Sequence, residues 1–383
     1  MSKLKILAVP SNPGAIGKLR IVEPCMMLSD IEAADIVMFE AEKAMDLQAF
    51  ENICKTTDVI WFQSVMNQLF LWNMLNTRRY NPKIKLIMDV DDNLYTVNPW
   101  NPSFESFTTD DQIDIGTSQF KLPKQRNNAR IRMFETMAIE SDAIITTTGM
   151  LAARYSHLNK NIYVMPNSLI WSNWHIPHLP MREDGKIRIA WAGGSSHKMD
   201  WLECHAACKR MTVKYPNVFM EFMTSPMCYA EFLRDLGQEK VILHDWIDYT
   251  GHSYRMNCFK PEIGVIPLHE DEFSVCKSDL KFTEYATIKA PCVCSDIPPY
   301  SKCVQHGVTG FLAKDNLDFE KYLDILINNP ELRKTMGQAA YDWAYENRRL
   351  EKTVYNTKEI LEEVMELPSW HIMPERKTEK IGV

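Results

Sequence analysis

The 383-residue sequence holds no run of about 18 apolar residues, so no helix is expected to cross a membrane. It has no CxxC pair. Its 10 cysteines are scattered, which argues against a disulfide framework and leaves buried, reduced thiols as the expectation. Cys204, His205 and Cys208 fall within about one helical turn, but no second ligand pair follows at zinc-finger spacing. A basic surplus is missing too. Lys and Arg number 43 against 50 Asp and Glu, and the net charge of −7 argues against duplex nucleic acid as the main partner. Glycine is sparse at 14 residues, and neither GxGxxG nor GxxxxGK[ST] occurs, so the two commonest phosphate loops are excluded. Tandem repeats and low-complexity tracts are absent, and 45% apolar content excludes a disordered chain. The opening MSKLKILAVPSNPGA is too short in apolar residues for a signal-peptide core and reads as a first strand, so the expected compartment is the cytoplasm.

What is present is alternation. Short apolar runs at Lys5–Val9, Ile36–Phe39, Asp58–Phe62, Ile84–Met88, Ala143–Thr147 and Ile162–Met165 are separated by helical patterns. Such runs imply parallel strands covered on both faces. Between Ser168 and Gly185 the pattern dissolves, then resumes at Lys186–Ala192, Val218–Met223, Val241–Leu243, Ile263–Ile266 and Cys292–Cys294. The expected fold is therefore α/β, with two doubly wound, Rossmann-like domains facing each other across a cleft. Residues 1–172 form the first domain, 173–185 a linker, 186–345 the second domain and 346–383 a helical end. One stretch breaks the rhythm: Asn98 to Pro123 is long, polar and carries Trp100, Phe104 and Phe107, as functional loops do. The cluster Lys121, Lys124, Arg126, Arg130 and Arg132 after it reads as a solvated helix face or as a contact for a phosphate-bearing acceptor.

Four constellations carry chemistry. Trp191-Ala-Gly-Gly-Ser-Ser-His-Lys198 joins a strand to a helix. Gly193 and Gly194 would let backbone approach a phosphate, with Ser195, Ser196 and Lys198 as donors, although a tight turn reads the same way. In Lys277 to Tyr300, Lys277, Lys281 and Glu284 lie on neighbouring helical turns, suited to a phosphate and a diol, or simply to a solvated charge ladder. Asp89-Val-Asp-Asp92 ends a strand and is expected to point three carboxylates into the crevice. It reads as a metal-binding DxD, as the DxD of haloacid-dehalogenase-like phosphatases, as helix capping, or as an acceptor-side group. Gly14, Gly17 and Lys18 or Arg20 form a loop after the first strand that would bring backbone and charge to a phosphate, or a plain surface turn.

From Lys281 through Glu284-Tyr-Ala, Ala290-Pro-Cys-Val, Ser295-Asp, Tyr300 and Gly307-Val-Thr-Gly-Phe-Leu312, the chain resembles the GT-B nucleotide-sugar glycosyltransferases, most closely the family-4 retaining type. Val164-Met-Pro-Asn-Ser168 is similar to the family's turn at the domain junction, and Gly193 to Lys198 to its pyrophosphate loop. The resemblance implies Leloir-type hexosyl or pentosyl transfer with retention, from a nucleotide-diphosphate sugar to a hydroxyl. Glu284 would grip the ribose, Lys198 and Lys281 the diphosphate, with Lys277, Ser278 and Tyr300 completing the donor site. Asp91 or Asp92 would face the reacting groups. No tightly bound cofactor and no divalent metal are implied. The acceptor stays open between a saccharide, a lipid-linked glycan and a modified nucleic-acid base. The chain departs from the family pattern at Cys276, in place of the first glutamate of E-x7-E, and at Gly194, in place of an arginine. A modified DNA base as acceptor, and a nucleotide-sugar-binding protein without transfer activity, are the alternatives.

Overall fold

The computed structural model describes residues 3–39, 47–64, 68–97, 104, 108–109, 125–126, 128–174, 176, 182–194, 197, 199–224, 230, 233–245 and 247–368. The first half contributes β1 (Leu4–Val9), β2 (Ala34–Met38), β3 (Val59–Gln63), β4 (Lys85–Val90), β5 (Ala143–Thr146) and β6 (Ile162–Val164). They form one parallel sheet in the order β2-β1-β3-β4-β5-β6. The second half contributes β7 (Ile187–Ala192), β8 (Val218–Met223), β9 (Val241–His244), β10 (Ile263–Ile266), β11 (Cys292–Ser295) and β12 (Phe311–Ala313). Its order is β9-β8-β7-β10-β11-β12, again all parallel. In each sheet the strand order reverses once, between β1 and β3 in the first and between β7 and β10 in the second. Ligands of open α/β sheets bind beyond the strand ends at such reversals.

Strand residues alternate between two cores. In the first sheet Leu7, Val9, Ile60, Phe62, Leu86 and Met88 face one side, packed with Phe50, Phe70 and Phe134. Ile6, Ala8, Val59, Trp61 and Ile87 face the other. That second face is covered by α1 (Glu23–Asp30) and, from the far end of the chain, by α2 (Leu350–Glu366), through Val354, Leu361 and Val364. Lys85 at the start of β4 fixes the end of this cover, its Nζ 2.6 Å from the Leu367 carbonyl.

The helix leading into α1 begins at Ala15–Gly17 and passes through a π-helical stretch, Lys18–Val22. Arg20 of that stretch is buried, and so is Leu19, which packs among residues of the second half such as Tyr285 and Ala286. Exchange runs the other way at Cys276, which lies in the first sheet's core. The two chain crossings between the halves are bridged side by side. Leu169 N donates to Arg348 O at 2.9 Å, and Leu350 N donates to Leu169 O at 2.8 Å. Cys204 and Cys208 are buried as core side chains, and no group of His, Cys, Asp and Glu among the described residues has a metal-binding arrangement. No helix of the described residues is long and apolar enough to cross a membrane.

Candidate functional site

Beyond β7 the chain turns at Gly193 and Gly194. A side chain at Gly193 would put its Cβ 2.7 Å from the Trp191 ring, so glycine is required there, whereas no described residue lies within 4 Å of a Cβ at Gly194. Ser195, Ser196 and Lys198, expected to help hold the phosphates, lie outside the described residues. A small cavity over the β7–β10 reversal is lined by Trp191, His197, Lys281, Tyr285 and Tyr300. Tyr300 is buried there.

Lys281 and Glu284 belong to the helix Leu280–Thr287. Glu284 is 3% exposed, which overturns the reading as a solvated charge ladder. Its Oε2 is 2.9 Å from Lys281 Nζ, and its Oε1 is 3.4 Å from His252 Nε2. Burial pushes the Glu284 carboxyl up, but Lys281 and His252 outweigh it and hold it at about 2, so the group stays ionised. His252 comes from the helix Tyr249–Phe259, whose first turn is capped by Asp248. Nothing in its own stretch of sequence links it to a residue 32 positions later.

Lys277 and Ser278 turn toward the first half rather than into the small cavity. Lys277 Nζ is 3.3 Å from Asp92 Oδ1, and Ser278 Oγ accepts a 2.9 Å bond from Asn167 Nδ2. Asn93 donates to the Glu272 carbonyl at 3.1 Å, and Thr148 Oγ1 to the Cys276 carbonyl at 3.0 Å. Asp92 and Lys277 thus meet across the cleft.

The expectation of three carboxylates in the crevice is corrected at Asp89. That residue is buried, and Arg20 grips it twice, Nε to Oδ1 at 3.0 Å and Nη2 to Oδ2 at 2.8 Å. Arg20 Nη1 donates to Met165 O and Asn167 Oδ1, so its guanidinium is consumed by structure, and it supplies no charge to a phosphate. The same pairing removes Asp89 as a phosphatase nucleophile. Capping also fails for Asp91 and Asp92, because no helix starts in residues 91–97. Asp91 is half-buried. Burial, then the carboxylates of Asp92 and Asp89, push it up to about 7 against the pull of Arg20 and Lys277.

In the loop after β1, a Cβ at Gly17 would lie 1.9 Å from the Asn12 carbonyl, and one at Gly14 2.9 Å from Asn12 Oδ1. These glycines answer to close packing of the loop on itself. Lys18 reaches over the cleft, its Nζ 2.6 Å from Thr250 Oγ1. Beside it, Tyr249 OH donates to Glu23 Oε2 at 3.2 Å. Burial raises Glu23 to about 7, opposed by Tyr249 and Lys18. The sequence reading passed over Glu23, Tyr249, His252 and His197. Of the basic cluster, Lys121 and Lys124 lie outside the described residues, as does most of the aromatic stretch before them. A larger cavity of about 360 Å³ opens between the halves, with Thr148, Met150, Pro166, Val275, Lys277 and Lys302 in its walls.

Residues 280–343 match the family Glycosyl transferases group 1. Among solved structures, sucrose-phosphate synthase from Thermosynechococcus elongatus is similar at 12% identity over 95% of this chain and 99% of that one, with a TM-score of 0.64. A glycosyltransferase from Rickettsia africae is similar at 11% identity over 96% and 100%, with a TM-score of 0.67. HepE from Anabaena, in complex with UDP and glucose, is similar at 12% identity over 95% and 100%, with a TM-score of 0.59. No curated protein sequence matches the chain. The chain has the GT-B fold of glycosyltransferases, two parallel sheets closing on a cleft, and over residues 280–343 it is similar to glycosyl transferases group 1.

Proposed function

We propose that the protein is a glycosyltransferase that moves a hexosyl or pentosyl group, with retention, from a nucleoside-diphosphate sugar to a hydroxyl. In this reading residues 186–345 hold the donor and residues 1–172 the acceptor. The observation that carries it is Glu284, an ionised, buried carboxylate beside Lys281 within the matched segment. Its oxygens suit the two hydroxyls of a ribose, which would displace or share the contacts with Lys281 and His252. The released Lys281 ammonium then faces the diphosphate, where negative charge grows as the sugar departs. Lysine and backbone donors meet that charge without a divalent ion.

On the other wall, Asp92 and Lys277 already meet where the sugar would lie between the halves. Asp91, with its carboxyl near 7, is poised to accept a proton from an acceptor hydroxyl near neutral pH. Cys276 stands where the family's first glutamate touches the sugar, and its place in the core leaves that contact to other groups. This position also favours the second reading, a nucleotide-sugar-binding protein that does not transfer.

The test is a thermal-shift titration with UDP, GDP and ADP, and with their glucose conjugates, with and without Mg²⁺. A ligand at 100 times its Kd adds about 2.7 kcal/mol of stability. One nucleotide is expected to stabilise the wild type and to leave Glu284→Gln unmoved. No response to any of them overturns the reading. Binding without either transfer or hydrolysis of the sugar selects the second reading.

A further inference from the structure

We infer that His197 contacts the diphosphate of the nucleotide sugar and that Asp200 is its positioning residue. The inference rests on the donor site proposed above and adds a contact to it. Two observations at the β7–β10 reversal carry it.

The first is how the imidazole is held. His197 N donates to the Gly194 carbonyl at 3.1 Å, which closes a tight turn just beyond β7. His197 Nδ1 lies 2.7 Å from Asp200 Oδ2. Asp200 is buried, and its other oxygen accepts a 2.9 Å bond from His269 N, in the loop that follows β10. His269 is in turn held by Glu203, Nδ1 to Oε1 at 2.7 Å. One carboxylate therefore ties together the loops of the two strands between which a ligand of this fold would sit, and fixes the ring while doing so. Carboxylates behind metal-bound and catalytic histidines orient them in the same manner.

The second is what the ring faces. With Nδ1 taken by Asp200, Nε2 is the other polar atom of a ring that helps to line the cavity, whose wall also holds Lys281. Carrying a proton on each nitrogen, the ring would donate to Asp200 from Nδ1 and to a phosphate oxygen from Nε2. A residue that served the turn alone would need neither a place in the cavity wall nor a buried partner.

The experiment is calorimetric titration of the full-length protein with UDP and UMP, with the GDP/GMP and ADP/AMP pairs as parallels, the scored pair being the one whose diphosphate binds. Wild type is expected to prefer the diphosphate. His197→Ala is expected to lose about tenfold or more of diphosphate affinity while monophosphate affinity holds, as befits one charge-assisted hydrogen bond. His197→Arg should recover most of the loss. Asp200→Asn should raise the donor KM more than it lowers kcat. Equal binding of both nucleotides by wild type and His197→Ala overturns the inference. So does a parallel loss of both nucleotides that His197→Arg does not recover, which marks a role in the turn alone. Failure of wild type to bind any of the nucleotides overturns the donor-site reading itself, and the His197 contact falls with it.

Discussion

At the reversal of the first sheet, the loop after β1 is sealed by the chain's own groups. Ser11 N and Oγ both donate to Gln63 Oε1 at 2.8 Å, and Arg20 spends its guanidinium on Asp89, Met165 and Asn167. At the reversal of the second sheet, His197 and Lys281 line a cavity. Sheet order and strand direction make both places candidates for a ligand. The difference lies in where the paired groups lie: Arg20 spends its guanidinium inside the fold, whereas Lys281 and His197, though paired with Glu284 and Asp200, also line a cavity.

The largest expected effect comes from breaking the sealed side. Arg20→Ala leaves Asp89 buried without its partner and should cost about 3–5 kcal/mol, read as a drop in Tm. Removal of the whole pair, with Arg20→Met and Asp89→Leu together, should cost less than the single change. If Arg20→Ala left Tm unchanged, the contrast between the two reversals would fail.

Acidity sharpens the comparison next. Glu284 titrates below its ordinary 4.5, at about 2, so its contribution to stability is present above 4.5 and is lost as pH falls through about 2. Asp91 titrates above its ordinary 3.8, at about 7, so its contribution is fully present below about 4 and is lost as pH rises through about 7. Tm profiles should therefore respond to Glu284→Gln at the acid end and to Asp91→Asn at the neutral end. Asp91→Asn should be more stable than wild type at pH 8. An Asp91→Asn profile parallel to wild type between pH 5 and pH 8 would contradict the assignment.

Smallest is the contact over the cleft. Lys18→Ala removes an exposed hydrogen bond to Thr250 and should change stability by about 1 kcal/mol or less. Its expected signature is a higher donor KM at nearly constant Tm, because what it touches belongs to the opposite half.

Most of the fold was legible in the sequence, because strands covered on both faces read as unbroken apolar runs. β12 was not among the strands read, although Phe311-Leu-Ala313 is a short apolar run. The site was legible where it is local. Lys281 and Glu284 share one helix, and their spacing alone put them on one face. Asp89 was misplaced because its partner comes from a π-helical stretch 69 residues earlier, and a widened helical turn leaves no mark in apolar periodicity. Glu23 with Tyr249, and Glu284 with His252, are likewise pairs joined only by tertiary contact. His197 stood inside a glycine loop that was read for its glycines, serines and lysine, while its signal, an aspartate three residues on, was in plain view.

The cover that α2 lays over the first sheet has a consequence for how the protein is made. Val354, Leu361 and Val364 pack on Ile6, Trp61 and Ile87, and the bond from Lys85 to Leu367 spans 282 residues. While the chain leaves the ribosome, the first half can pair its strands and cover one side of its sheet, but the other side stays partly bare until Leu350–Glu366 has been synthesised. The half that is translated first is thus completed last, and a long interval of exposed apolar surface, the condition that favours aggregation and chaperone binding, is built into the order of its elements.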